Sequence, residues 1–328
     1  MRGEDEALKE QEILKNLFKL IPLIILLCFL FKPGDALTSE LGPSGGLTSS
    51  GKYGGDDFLI GFVPPPGFYY LNYTFFYSAH RFKGYDGNEV NKGPFNDFKT
   101  EIFGNIFRPI YVSDKKILGG DPVFDITLPL INKHIETEYF DDSVSGIGDI
   151  CVGVFGLAWH KNIFHCLFSF DVFAPTGKYD KHDKINIGNN HWIFNPLFTI
   201  CAVLPNGMDF GVNLLYDFHT KNNDYLDPRT GETTDYQTGQ AFHLDYSLGY
   251  QIKKSWRAGI VGYYWKDTTD DKIGGKKIRD SRGQVFSIGP GIMFAVSKIT
   301  ISLKTEFEMA AKNRPQGRMT WLRILYSF

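Results

Sequence analysis

Residues 299–310 read ITISLKTEFEMA. Ile299, Ile301, Leu303, Phe307 and Met309 share one parity, with Thr305 among them. Thr300, Ser302, Lys304, Glu306 and Glu308 share the other. Successive side chains of a strand point to opposite faces, so this is one β-strand with an oily face and a charged face. The pattern is the same whichever face is buried. A soluble sandwich buries the oily face, whereas a membrane barrel turns it to lipid and points the charges inward.

Composition favours the barrel. The chain has 328 residues with 29 Phe, 17 Tyr and 35 Gly, yet 22% of it is charged. Its mean hydropathy is −0.19, far below that of a helical membrane protein. An aromatic-rich, Gly-rich and mildly polar chain fits a wall in which alternate residues are polar. The net charge of −2 argues against a nucleic-acid partner. Of four cysteines, Cys28 lies in the leader and Cys151, Cys166 and Cys201 remain, an odd number. A disulfide framework is not expected, and no CxxC or Cys/His cluster points to a metal, so no metal and no cofactor is expected.

Residues 21–31 (IPLIILLCFLF) are too short for a membrane-spanning helix and suit the apolar core of a signal peptide. Lys15 and Lys19 precede it, and small Gly34 and Ala36 suit a cut after Ala36. The acids Glu4, Asp5, Glu6, Glu10 and Glu12 are atypical of such a leader, and an uncleaved anchor is the alternative. The expected organisation is a signal peptide over 1–36, a flexible Gly/Ser/Pro-rich arm over 37–67 and a barrel over 68–328. The arm, ending in Pro64-Pro65-Pro66, is a candidate periplasmic segment or lumen plug.

From residue 68, twelve strand-like segments follow, at roughly 68–82, 97–113, 117–131, 146–159, 162–174, 192–204, 208–220, 239–252, 255–269, 282–296, 299–311 and 318–328. Most are long enough to cross a bilayer on a tilt, which takes about 9–11 residues. Short turns (SDKK, HKN, PNG, KK, SK) alternate with long polar connections; KNRPQG at 312–317 is the shortest of the latter. This predicts an all-β fold, a transmembrane antiparallel up-and-down barrel of about 12 strands, with 10 or 14 as alternatives. The segments near 98–111 and 255–266 alternate poorly and are the ones open to redrawing. The last segment carries Leu322, Ile324, Tyr326 and the terminal Phe328 on one face, which resembles the assembly signal of bacterial outer-membrane barrels.

The polar faces hold Asp171, Asp209, Asn213, Asp217, His219, His243, Asp245, Lys304, Glu306, Glu308 and Arg323. They are candidates for a structural network in a wet lumen or for the wall of a solute path. Arg323 and Lys304 are expected near Glu306 or Glu308, since the last two strands are sequential. Trp159, Trp192, Trp265 and Trp321 lie near predicted strand ends and read as an interfacial girdle, with a minority free to stack on an aromatic solute. GxSxG is absent, and Gly177-Lys178 lacks the spacing of a phosphate loop, so no catalytic residue is assigned.

Several ordered stretches carry a family resemblance: VPPPGFYY (63–70), GIGDI (146–150), LAWH (157–160), DVFAPTGKYD (171–180), NIGNNHWIFNP (186–196), TDYQTGQAFHLDYSLGY (234–250), GYYWKDTTDD (262–271), IGPG (288–291) and NRPQGRMTWL (313–322). They resemble the outer-membrane family labelled "MetA-pathway of phenol degradation", the SphA-like proteins. The resemblance implies a bacterial outer-membrane, porin-like transporter for passive uptake of small hydrophobic or aromatic compounds. The expected partners are the lipid bilayer of a Gram-negative outer membrane, the barrel-assembly machinery and such a solute, for a monomer. A structural or surface-interaction barrel working through its long loops is the alternative, and an outer-membrane hydrolase a remoter one.

Overall fold

The computed structural model describes residues 54–328; the expected signal peptide and most of the expected arm lie outside them. The strands are β1 (Gly67–Lys83), β2 (Lys99–Val112), β3 (Asp121–Thr137), β4 (Phe140–Ile147), β5 (Cys151–Lys161), β6 (Phe164–Phe173), β7 (Ile193–Val203), β8 (Met208–His219), β9 (Asn222–Leu226), β10 (Thr233–Gln237), β11 (Ala241–Lys253), β12 (Trp256–Asp267), β13 (Lys272–Ile273), β14 (Lys276–Lys277), β15 (Gln284–Val296), β16 (Ile299–Lys312) and β17 (Arg314–Ser327). Twelve of them form a closed antiparallel ring in which each pairs with the next, and β17 returns to β1. Closure satisfies every edge, the condition for strands in lipid.

The remaining strands are additions at the end that carries the long connections. β4 pairs with the overhang of β3, and β9, β10, β13 and β14 form a small sheet of their own. Three expected boundaries move accordingly. The fourth wall strand begins at Cys151, because 140–147 belong to β4. The third begins at Asp121, because Ile117 and Gly120 close a turn before it. The connection expected over 312–317 shrinks to Asn313, whose positive φ of 48° makes the reversal.

The exposed side chains settle which face of ITISLKTEFEMA looks out. Leu303 and Phe307 are 49% and 48% exposed, while Lys304 and Glu306 are 3% and 0%. The same inversion runs around the ring: Phe210, Leu214 and Phe218 point outward, and Asp209, Asn213 and Asp217 inward. A band of large outward apolar side chains on nearly every wall strand suits lipid rather than water. The two poorly alternating segments are genuine wall strands, β2 and β12. β12 turns Val261, Tyr263 and Trp265 inward and β2 turns Ile102 and Ile106 inward, so both faces read as apolar.

Pro290 locally interrupts the wall. No ladder pair is formed between Ile288↔Phe307 and Gly291↔Lys304, as expected where a residue has no N–H to give. On the other side of the same strand, β12 and β15 leave a gap of their own, between Val261↔Gly289 and Tyr264↔Phe286, and there the carbonyl of Ser287 accepts from the Tyr246 hydroxyl (2.7 Å). Gly262 permits that approach: a Cβ there would lie 2.4 Å from the same hydroxyl.

Candidate functional site

The barrel interior gathers all the polar candidates. Asp171, Asp209, Asn213, Asp217, His219, His243, Asp245, Lys304, Glu306 and Glu308 are buried, and the Arg323 side chain is 16% exposed. A charge inside a narrow wall is tolerable only when paired. Lys304 lies 3.3 Å from Glu306, Arg257 lies 3.0 Å from Asp209, and Arg108 forks onto Asp125 at 2.8 and 2.9 Å. Glu308 accepts from the hydroxyls of Tyr77 (2.7 Å) and Tyr263 (2.6 Å) and from the Gly317 N–H (2.7 Å), with Arg314 at 3.9 Å. Asp217 accepts from His243 Nε2 (2.6 Å) and Asn195 (2.5 Å), and Ser169 donates to Asp171 (2.7 Å). Among the described residues, no group of three or more His, Cys, Asp or Glu side chains is placed to hold a metal ion.

Arg323 does not pair with Glu306 or Glu308 as expected. The β16–β17 register sets it opposite Ser302 and sets Trp321 opposite Lys304. Its partner is Asp57, at 2.9 Å, from the segment that precedes β1. Residues 54–66 run inside the ring. Gly54 N–H donates to Asp245 (3.1 Å), and Asn213 donates to Asp56 (2.7 Å). Lys304 Nζ donates to the Asp56 carbonyl, and Ser302 donates to the Asp57 carboxylate. Phe58, 1% exposed, packs on Val261 and Met293. Leu59 N–H donates to Asp209 (3.3 Å), and the Phe62 ring lies 4.3 Å from that of His165. Leu59 holds a φ of 60°, an unfavourable backbone for a branched residue, kept by the contacts on either side. Five of the eleven candidates, Asp209, Asn213, Asp245, Lys304 and Arg323, therefore contact this segment directly.

The lumen wall has two characters. β7, β8, β11 and β16 present most of the polar groups, and β1, β2 and β17 present an aromatic and aliphatic stripe. The stripe includes Tyr73, Phe75, Tyr77, Ile102, Ile106 and Trp321, all in one cluster of buried side chains. Trp321 lies 4.7 Å from Phe75, centroid to centroid. Two of the four girdle candidates are therefore lumen residues: Trp265 and Trp321 are each 3% exposed. Trp192, at the loop end, is 46% exposed and keeps an outward position.

At the loop end, the connection between β6 and β7 folds over the mouth. Asp149 fastens it by accepting from Gly177 N–H (2.9 Å), Asn189 N–H (2.9 Å) and Asn189 Nδ2 (2.8 Å). Gly177 and Gly188 touch backbone to backbone; a Cβ on Gly177 would sit 2.6 Å from Gly188 Cα. Ile185 and Ile187 are buried into the same cluster as the aromatic stripe. His191 donates from Nδ1 to the Asn189 carbonyl (2.9 Å), which leaves Nε2 to accept from His219 (2.9 Å). Burial lowers the His191 pKa from its ordinary 6.5, opposed by the Asn189 carbonyl and by Asp149 and Asp217.

The family model described as putative MetA-pathway of phenol degradation matches residues 79–324, most of the chain. The chain belongs to that family. Its ordered motifs are those that meet in space: Asp149 of GIGDI holds Gly177 of DVFAPTGKYD and Asn189 of NIGNNHWIFNP. Among solved structures, an outer membrane channel from Pseudomonas putida F1 superposes with a TM-score of 0.73 at 16% identity, covering 83% of this chain and 99% of that one. The β domain of the Bordetella autotransporter BrkA gives 0.47 at 11% identity, covering 80% and 100%. A monoaromatic hydrocarbon channel, the TodX deltaS2S3 mutant, gives 0.46 at 8%, covering 82% and 92%. At 16% identity the first of these likenesses is one of fold, that of a closed β-barrel. No curated protein matches the chain.

Several site residues carry no readable signal in the sequence. Asp56 and Asp57 lie in a Gly-rich stretch that resembles any linker. Arg108 and Arg257 lie on the two strands whose alternation is obscured by inward apolar neighbours. Asp149 and His191 lie in connections, where strand parity does not apply.

Proposed function

We propose that this protein is an outer-membrane channel for passive uptake of small hydrophobic or aromatic compounds, with residues 54–66 as a stopper in its lumen. The observation that carries the reading is the two-sided lumen. An aromatic stripe on β1, β2 and β17 faces a wall of paired charges, and the stopper is pinned to the charged side by Asn213 and Lys304 on Asp56 and Ser302 on Asp57, with Arg323 of β17 completing the hold on Asp57. A small aromatic molecule needs such a surface: apolar faces to stack on and a polar rim to accept its hydroxyl or carboxylate. The eleven polar candidates serve as the anchoring and solute-facing wall. The family description and the outer membrane channel among the similar structures support the same reading. In it the chain is exported by the leader 1–36, acts as a monomer without catalysis, and is inserted by the barrel-assembly machinery, which reads Leu322, Ile324, Tyr326 and Phe328.

The test is flux through reconstituted vesicles. Wild-type protein is expected to pass a small aromatic acid faster than empty vesicles. The Asp56→Asn/Asp57→Asn variant, with the stopper loosened, is expected to pass it faster still. Rates equal to empty vesicles for a panel of solutes would sink the channel. That result would favour a surface-interaction role, to which the ordered β9–β10–β13–β14 sheet over the mouth lends itself.

A further inference from the structure

The outer wall changes character sharply at the loop end of β12, β15 and β16. Tyr264 pairs with Phe286, and Phe286 with Met309, giving an outward apolar row across three strands. The next outward row is Lys266, Gln284 and Lys312, paired in the same order. One step along the strands therefore passes from lipid-compatible side chains to cations. Above this second row lies a surface cleft of about 470 Å³, lined by Lys266, Lys312, Arg279 and Arg282, with Tyr85 closing one side. A second cleft of about 290 Å³ adjoins it through Asp270 and Arg282 and adds Lys272 and Lys277. Together the clefts hold six cations against two carboxylates, Asp270 and Asp280, in a chain of net charge −2. The one-residue β16–β17 connection keeps the wall low here. Asn313 braces the rim by donating to the carbonyls of Asp280 (2.6 Å) and Arg282 (2.9 Å).

We propose that this basic cleft binds the phosphorylated headgroup of an outer-leaflet glycolipid. In an outer-membrane barrel the long connections face outward, so the cations sit where the acyl chains end and the lipid phosphates begin. Lys266 and Lys312 reach the phosphate nearest the bilayer, and Arg279 and Arg282 line the space above it. Arg282 is already oriented by Asp270, at 2.6 Å. The apolar row of Tyr264, Phe286 and Met309 takes the acyl chain of the same molecule. Lumen and stopper play no part, so this site stands or falls independently of the transport reading.

The full chain, purified in detergent, is titrated with bisphosphorylated lipid A, with the same lipid after phosphatase treatment, and with inorganic phosphate, and bound lipid is counted by native mass spectrometry. Wild type is expected to take one bisphosphorylated lipid at this site. Lys266→Gln/Lys312→Gln is expected to weaken that binding by about tenfold or more, and Lys266→Arg/Lys312→Arg to retain it. Dephosphorylated lipid is expected to bind wild type correspondingly weakly. Unchanged binding by the glutamine pair, equal binding of dephosphorylated lipid, or displacement by equimolar inorganic phosphate would each overturn the proposal. Should the glutamine pair fail to fold, the comparison of the two lipids on wild type decides alone.

Discussion

Individual residues in this wall are governed by the cost of burying charge. Arg323 and Asp57 form a pair in which the carboxylate is 2% exposed. Removing one partner leaves the other charge stranded, at a cost of about 3 kcal/mol in buried settings. Arg323→Gln is therefore expected to lower the denaturant midpoint of the folded barrel in lipid vesicles and to raise protease access to residues 54–66. An unchanged midpoint with protected residues would mean the pair holds nothing. His191 gives the pH dependence. Its folded pKa lies below the unfolded value of about 6.5. Protonation then favours the unfolded form, so its contribution is complete above about pH 6.5 and is lost as pH falls towards the folded value. The proton would also land on Nε2, the atom that accepts from His219. Amide protection over 176–191, taken as exchange relative to the intrinsic rate at each pH, is expected to fall between pH 7.5 and 5.5 in wild type and much less in His191→Gln; equal pH responses would refute the assignment.

Single elements carry the next level. The β6–β7 connection reads as a loop in sequence, yet it is latched by one carboxylate and two contacting glycines. Asp149→Ala removes the acceptor of three hydrogen bonds, each worth about 1 kcal/mol net. Limited proteolysis is expected to cut within 174–192 in that variant and not in wild type, with the barrel itself intact; identical digests would show the latch to be redundant. β17 is the other critical element, since it must meet β1 to close the ring. Its outward residues Leu322, Ile324 and Tyr326 lie opposite Thr74, Asn72 and Tyr70. Phe328, 72% exposed, extends that face beyond the seam. Phe328→Asp is expected to reduce folded protein in the outer membrane several-fold without altering the lumen. Normal surface levels would mean that Phe328 contributes nothing to assembly. β2 and β12 show why parity alone misleads. Where the lumen is lined with Ile, Val, Tyr and Trp, inward and outward faces look alike, and only pairing to neighbours separates them.

At the scale of the whole molecule, twelve strands leave an interior narrow enough for side chains and one thin segment to fill. Every wall strand is hydrogen-bonded on both sides, so unfolding must break a continuous ring rather than fray an edge. Unboiled protein is expected to migrate differently from boiled protein on SDS gels; unchanged mobility together with solubility in the absence of detergent would rule out the closed barrel in lipid.

The wall strands, their number and the oily face of most of them follow from local chemistry. Alternating side chains, Gly- and Pro-marked turns and the rhythm of short and long connections are all readable within a dozen residues of one another. For ITISLKTEFEMA, the leader, the alternation of short and long connections and Phe328 point Leu303 and Phe307 to lipid, and their exposure in the folded barrel settles it. Which charges meet inside is another matter. Lys304 finds Glu306 on its own strand, but Arg323 finds Asp57 only because the ring closes, the β16–β17 register lifts it beside Ser302, and residues 54–66 thread the space within. Register and closure are properties of the assembled sheet, formed between positions far apart in the chain. No local pattern encodes them, so the lumen's partnerships, its two-sided wall and the latch at Asp149 emerge only in the folded barrel.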